Sequence, residues 1–293
     1  MATQNAQKKK GAVVAVLNMK GGVGKTTISA HVFRHLYFHL QKSVTLVDFD
    51  PQFNLTQTIY TQDQYEKIKA AKKTILTVME DQSAPSIFAI SEKLGPPPQL
   101  DDVSMRVRFN TAKPSICLTL VPGDFDIAKY SLIANTDVLK PIKHRFLQFI
   151  DKAREQKDLI CIDCNPSSSF MTTCAIKAAT HILVPVRPDR YSLLGLKLLD
   201  RFITEMPDIN PKPKMIVMLN GLGSGTYDPA MENILRSDPQ FGPFTMASSL
   251  YRSKLLEATV GQSGFATDRK HSWRVTPRIT AIVNELGNLL GLA

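Results

Sequence analysis

Nowhere in these 293 residues do apolar side chains run uninterrupted for the ~20 positions a membrane-spanning helix needs. An integral membrane protein is excluded on that ground. Four cysteines are too few for a disulfide framework in a chain of this length, so a reducing cytoplasm is the expected setting. The first ten residues are polar and lack the apolar stretch of a secretory leader. Acidic residues are the other shortage: 26 Asp and Glu stand against 36 Lys and Arg, a net charge of +10. The pI near 9.4 favours polyanions as partners, whether nucleotides, nucleic acid or acidic membrane. Lys8, Lys9 and Lys10 fall in an expected flexible tail at 1–10. What is present is otherwise ordinary for a folded chain, with 43% hydrophobic and 21% charged residues, which excludes collagen-like and disordered classes.

Alternation organises the rest. Ala12–Leu17 is a continuous apolar run, as expected of a strand buried on both faces. Similar runs follow at Val44–Val47, Ile116–Val121, Leu159–Ile162, His181–Val186 and Met215–Leu219. Helical patterns separate most of them, at Lys25–Gln41, Phe125–Ala134, Ile142–Ala153, Met171–Ala178, Leu193–Met206 and Met231–Leu235. The pattern predicts an α/β fold, a mainly parallel twisted sheet with helices on both faces, as one domain over 11–293. Between about 60 and 114 the alternation fails. That basic, proline-bearing stretch reads as an insertion, part helical and part irregular loop. The chain closes on an amphipathic stripe of Ile279, Ile282, Val283, Leu286, Leu289 and Leu290.

Lys20-Gly21-Gly22-Val23-Gly24-Lys25-Thr26-Thr27 stands directly after the first strand and directly before the first helix. Glycines let backbone N–H groups turn inward, and the helix N-terminus adds about half a positive charge, so the segment suits a phosphate. Lys25 is placed to reach the β- and γ-phosphate oxygens of a nucleotide, and the Thr26 hydroxyl to ligate Mg2+. The usual first glycine of such a loop is replaced by Met19, and a second lysine, Lys20, appears instead.

With that substitution the chain resembles the deviant Walker-A ATPases of the ParA/MinD family, over nearly all its length outside the insertion. Asp48-Phe-Asp50-Pro51-Gln52-Phe-Asn54 matches the family's D-x-D-P-Q-x-N motif, and Leu159–Asp163 followed by Asn165-Pro166 is similar to its Walker-B segment. The D-P-Q-x-N form and Pro122-Gly123 lean toward ParA-type partition ATPases. The resemblance implies ATP and Mg2+ as cofactors, with Gly21, Gly22, Val23, Gly24, Lys25, Thr26 and Thr27 around the phosphates and Asn220 near the adenine. It implies that Lys20 crosses an interface to the nucleotide of a second copy, so that ATP cements a homodimer. Asp50 would position the attacking water, Asp48 support the metal shell, and Asp163 bind Mg2+ through water. Two residues depart from the family: Asn165 stands for a proline, and Arg187 for a common glutamine. Contact of Arg187 with nucleotide and pairing with Asp189 are equally open.

The segment from Leu250 onward has a family counterpart that grips DNA. Arg252, Lys254, Arg269, Lys270, Arg274 and Arg278 are the candidates for nonspecific double-stranded DNA, held through counterion release. No membrane partner is expected, because no basic residue follows Arg278 to line an interfacial helix. His31, His35 and His39 share a helix face that reads as solvated or interfacial rather than metal-binding. Cys161 and Cys164 read as packing, and Trp273 as a packing anchor. The resemblance implies a cytoplasmic, nucleoid-associated ATPase that hydrolyses ATP slowly, partitions plasmid or chromosome, and works with a ParB-like adaptor. With the first strand beginning at Ala12, no N-terminal helix-turn-helix domain, and hence no operator-specific repression, is expected. Two alternatives stand beside this one. The same ATPase could position a protein cargo or serve a defence assembly, with the insertion as adaptor surface. Alternatively, the chain is a metabolic ligase of the dethiobiotin-synthetase type.

Overall fold

A computed structural model describes residues 10–81, 89–91, 94–133, 135–167, 169–223, 228–257 and 264–292. The basic tail, apart from Lys10, and stretches of the insertion lie outside them. Eight strands form one sheet: β1 (Ala12–Val16), β2 (Val44–Phe49), β3 (Met105–Phe109), β4 (Cys117–Val121), β5 (Leu159–Cys164), β6 (His181–Val186), β7 (Lys214–Leu222) and β8 (Leu250–Tyr251). Their spatial order is β3-β4-β2-β5-β1-β6-β7-β8. Every pairing is parallel except that of β3 with β4. Among the described residues, ten α-helices complete the framework: α1 (Lys25–Leu40), α2 (Asn54–Ile59), α3 (Gln62–Ala70), α4 (Ile75–Met79), α5 (Leu100–Val103), α6 (Lys140–Gln156), α7 (Phe170–Ala178), α8 (Ser192–Glu205), α9 (Pro229–Ser237) and α10 (Thr276–Leu289).

The continuous apolar runs are explained by burial on both sides of the sheet. Along β1, Val13 and Ala15 join a core with α4, α6, α7 and α8, while Val14 and Val16 join a second core with α1 and α10. The successive side chains of a strand point to opposite faces, so a two-faced sheet needs apolar residues at every position. β1 lies between β5 and β6, and the chain leaves it toward β2 and later returns to the other side for β6. The C-terminal end of β1 is therefore a switch point, where open α/β sheets form a crevice.

Two elements differ from the sequence reading. Phe125–Ser131 is a 3-10 helix rather than an α-helix, and Ala134 lies outside the described residues. Its turn is held short by Asp124, which accepts a hydrogen bond from Asp126 N at 3.1 Å and, across the fold, ties to Lys69 at 3.1 Å and Thr74 at 2.9 Å. The insertion also supplies a strand, β3, at the sheet's edge. Its alternating Arg106 and Arg108 guard that edge with charge. The insertion is fastened to the body by buried charges. Glu80 at the end of α4 meets Lys129 at 2.7 Å, and Arg145 of α6 donates to Val78 O at 3.0 Å and Thr77 O at 3.2 Å.

The closing helix packs its stripe largely against α1 as well as the sheet. Gly287 is a close approach, since a Cβ there would stand 2.6 Å from Leu40 Cδ1. On the histidine face of α1, His31 and His35 are buried in this seam while His39 is exposed at its rim. His31 Nδ1 accepts from Ala266 N at 3.1 Å, and His35 Nε2 meets the Thr280 hydroxyl at 2.8 Å. Burial pulls both imidazoles down to about 4, with Arg269 and Arg34 adding to the effect on His31 and His39 and Arg34 on His35. Unfolded histidines bind protons near 6.5, so the seam is fully stable above that pH and loses stability as pH falls toward 4. Thermal melts between pH 7.5 and 4.5 should therefore decline below about 6.5. A His31→Gln, His35→Gln variant should decline less over that interval, and an unchanged slope would contradict the assignment.

Candidate functional site

The loop 18–24 leaves the C-terminal end of β1 at the switch point and turns into α1. Gly22 and Gly24 have φ of +71° and +88°, a region open to glycine at little cost. At Gly24 space is also lacking, because a Cβ would fall 2.2 Å from Asn220 Nδ2. Asn220, near the end of β7, donates from that nitrogen to Val23 O at 2.6 Å and so braces the loop from the side. Asn18 braces its start, donating to Pro185 O at 2.8 Å and accepting from Lys20 N at 2.9 Å. No acidic residue sits in the first turn of α1, leaving its N-terminal N–H groups and positive dipole end for an anion.

Lys25 is 8% exposed, and its Nζ donates to Asn18 O and Lys20 O, each at 3.2 Å. Burial lowers its pKa, while the nearby Asp163 and Asp50 carboxylates pull the other way. Thr26 Oγ1 donates to Asp163 Oδ2 at 2.8 Å, and Ser29 Oγ to Asp163 Oδ1 at 2.7 Å. Sheet register brings the acids together: Val16 and Asp48 are both direct neighbours of Asp163 on adjoining strands. Burial pushes Asp163 up to about 6, against the hydrogen bonds from Ser29 and Thr26.

Asp48 is fully buried, and its Oδ2 faces α2, accepting Thr56 N at 2.8 Å and Thr56 Oγ1 at 2.7 Å. That hydroxyl accepts in turn from Gly123 N at 2.8 Å. Gly123 has to be glycine, since a Cβ would stand 2.5 Å from Phe53 Cβ and 2.9 Å from Asp48 Cγ. Burial, then repulsion from Asp163, pushes Asp48 up to about 8. Asp50 is 8% exposed, accepts from Gln52 N at 2.9 Å, and is raised by burial against the pull of Gln52 and Lys25.

Lys20 lies apart, its side chain half exposed and paired with Asp189. Asp189 is itself fixed at the start of α8 by Tyr191 N at 3.0 Å and Ser192 Oγ at 3.1 Å. Arg187 therefore does not take that carboxylate; it donates to Gly22 O at 3.1 Å. Asn165 accepts from Thr172 Oγ1 at 3.1 Å, bracing the turn into α7. Cys161 and Cys164 are buried free thiols, raised well above the ordinary range by burial and by Asp163. Among the described residues no cluster of three or more His, Cys, Asp or Glu is arranged for a metal.

Sequence reasoning missed Asn18, Ser29 and Thr56, and it named Asp189 only as a possible partner of Arg187, whereas the fold pairs it with Lys20. Ser29 had a signal, lying one helical turn after Thr26 on the same face. Thr56 had none, because its partner is brought to it by the sheet.

A second surface gathers basic groups. Arg252, Arg274 and Arg278, with Tyr251 and Ser253, line a cavity of about 200 Å³ beside the start of α10. Arg278 lies 3.6 Å from the centre of the Tyr251 ring. Trp273 is 68% exposed, with Arg274 5.2 Å from its ring centre, so it anchors no core. Lys254 and Lys270 are exposed nearby. Arg252 also meets Glu257 at 3.3 Å in an exposed pair. Arg269 is set apart, since it is committed to the carbonyls of Leu255, Glu257 and Gly264 at 2.9, 3.0 and 3.1 Å.

A parallel sheet with a glycine loop at its switch point, a buried lysine in that loop and a threonine–aspartate pair beneath it define a P-loop nucleotide-binding protein. A family model described as an AAA domain matches residues 11–215. The Bacillus subtilis sporulation initiation inhibitor protein Soj is 26% identical over 189 residues, covering 64% of this chain. This chain in turn spans 63% of the length of Soj. A plasmid partition protein of Borrelia burgdorferi bound to AMPPNP has the same fold, with a TM-score of 0.64 at 17% identity over 95% of this chain and 100% of its own. So does pNOB8 ParA bound to nonspecific DNA, with a TM-score of 0.65 at 18% identity over 95% of this chain and 99% of its own. The chain belongs to the ParA/MinD family of P-loop ATPases.

The buried acid beneath the loop has a measurable consequence. A carboxyl raised to about 8 in the fold and near 3.8 when unfolded costs stability progressively as pH rises between those values. Asp48→Asn should melt above the wild type at pH 8.5, with the gap closing as pH falls toward 4; scanning fluorimetry that shows a constant gap would contradict this.

Proposed function

We propose that this chain binds ATP with Mg2+, dimerises on it, holds double-stranded DNA without sequence preference and hydrolyses ATP slowly. The observation that carries the nucleotide reading is the Lys25 ammonium, nearly buried and, among the described residues, hydrogen-bonded by the neutral carbonyls of Asn18 and Lys20. A phosphate oxygen is a better partner for that charge than a carbonyl. The triphosphate lies along the loop, the inner phosphates against the N-terminus of α1 and the terminal one beside Lys25.

Thr26 and Asp163 fit a magnesium ion, being hard oxygen donors 2.8 Å apart beside the loop. A bound ion would supply charge neutralisation at the phosphates; Thr26 and Asp163 would hold it, with Asp48 supporting Asp163 from the next strand. Asp50 accepts a hydrogen from the attacking water and orients it in line with the terminal phosphorus. The oxygen of that water forms the new P–O bond and gives up one proton to a phosphate oxygen, the bond to the bridging oxygen breaks, and ADP leaves with the displaced electron pair. Positioning and charge, rather than covalent chemistry, supply the rate.

Lys20 is free to leave Asp189 for the phosphates of a second copy, as its half-exposed side chain and surface ion pair permit. The dimer doubles the basic surface around Arg252, Arg274 and Arg278, where the exposed start of α10 adds its dipole to the guanidinium groups. The resemblance to partition proteins supports segregation or positioning of DNA or another cargo as the function, and on this reading a ParB-like adaptor is the stimulating partner and the nucleoid the location. The insertion, 60–114, belongs to the same single domain over 11–293.

Two experiments test this. In equilibrium ATP binding and light scattering, Lys25→Ala should lose nucleotide by at least about a hundredfold. Lys20→Ala should bind ATP as a monomer, and Asp50→Ala should accumulate as an ATP dimer with little turnover. An unimpaired ATP-dependent dimer from Lys20→Ala would overturn the trans role. For DNA, Arg274→Ala with Arg278→Ala should weaken binding equally for unrelated duplexes and flatten the dependence on salt. Affinity that is insensitive to salt would overturn the electrostatic account.

A further inference from the structure

One charge at the loop takes no part in the function above. Arg187, directly after β6, is half-buried against the loop tip. Its Nη2 donates to Gly22 O at 3.1 Å, and its Nε is buried with no hydrogen-bond partner among the described residues. None of the described carboxylates forms an ion pair with it. Asp189, two residues on, is held by Lys20, Tyr191 N and Ser192 Oγ. The backbone of Gly221, at φ +74°, closes the far side, where a Cβ would stand 3.0 Å from Nε. The near side is open: a Cβ on Gly21 or Gly22 would meet nothing within 4 Å.

A guanidinium carries five N–H donors and a charge, and a single carbonyl uses neither well. Bracing the loop at Gly22 needs only a neutral donor. What the position lacks is an anion, and it lies at the outer half of the phosphate loop, beyond the turn where α1 begins. We infer that Arg187 is a phosphate ligand, whose guanidinium grips the terminal phosphate of a bound nucleoside triphosphate. This rests on the nucleotide reading above. The planar fork matches phosphate oxygens two at a time, which an ammonium does not do. Arg187 is then a third cation at the triphosphate, beside Lys25 and Lys20, and one that reports whether the third phosphate is present. That phosphate belongs either to the nucleotide of the same subunit or to that of a second copy.

Calorimetric titration of ADP and of a nonhydrolysable ATP analogue tests the assignment in the wild type, Arg187→Gln and Arg187→Lys. Arg187→Gln keeps a neutral N–H donor and loses the charge. It should weaken the triphosphate analogue by about tenfold or more while leaving ADP within about twofold, with Arg187→Lys intermediate. A purely structural role would move both nucleotides together, so equal losses, or no loss for either, would overturn the inference. The ratio of the two affinities within one variant is unaffected by a lower folded fraction. Titration at protein concentrations where the wild type is monomeric, and again where it is dimeric, separates the sources. A selective loss in the monomer assigns the subunit's own nucleotide, and a loss confined to the dimer assigns the partner's. A wild type that binds neither nucleotide would remove the nucleotide reading, and this inference with it.

Discussion

An ammonium group taken out of water needs an anion, and among the described residues Lys25 finds carbonyl oxygens, those of Asn18 and Lys20, as its hydrogen-bond partners. The nearest acids, Asp163 and Asp50, pull on its charge but bond elsewhere: Asp163 to Thr26 and Ser29, Asp50 to Gln52 N. The loop geometry follows from that demand. Positive φ at Gly22 and Gly24, the brace from Asn220 and the acid-free first turn of α1 all keep one anion-sized position supplied with donors.

The same constraint explains why acids crowd beneath the loop at a cost to the fold. Parallel register sets Asp48 and Asp163 side by side at the ends of adjoining strands. Both are buried, and both are pushed toward their neutral forms. Thr56, Thr26 and Ser29 recover part of that cost with hydrogen bonds to the charged forms. Titratable groups with displaced pKa values beside an anion-ready loop are what a site for charged substrate and metal requires. Elsewhere two buried charges are met directly, Glu80 by Lys129 and Arg145 by the carbonyls of α4. Arg187 stands at the loop itself with one carbonyl, Gly22 O, and its Nε is buried without a hydrogen-bond partner among the described residues.

Local signals carried much of the reading. The lysine loop between a strand and a helix was legible because phosphate chemistry needs contiguous residues. The strands were legible because burial on two faces leaves no polar positions. Met105–Phe109 was not legible as a strand: its half-exposed, arginine-bearing pattern is that of an edge, which a core-seeking rule overlooks. Phe125–Ser131 misled because apolar spacing alone does not tell a 3-10 turn from an α-helix. Whether the histidines of α1 were solvated or interfacial was not legible, because the segments that cover His31 and His35, at 264–268 and in α10, arrive from more than two hundred residues away.

By itself the sequence determined the layered α/β architecture, the phosphate loop and its two lysines, and the acids at strand ends. Each of these rests on neighbours in the chain or on a periodicity within one element. Only the tertiary structure decided that Asp189 holds Lys20, that Arg187 turns to Gly22, and that Arg269 is spent on carbonyls while Arg274 and Arg278 stay exposed. Such pairings depend on which loops the sheet order brings together. A charge does not declare in the sequence which of several opposite charges, carbonyls or ligands lies within 4 Å of it once the chain has folded.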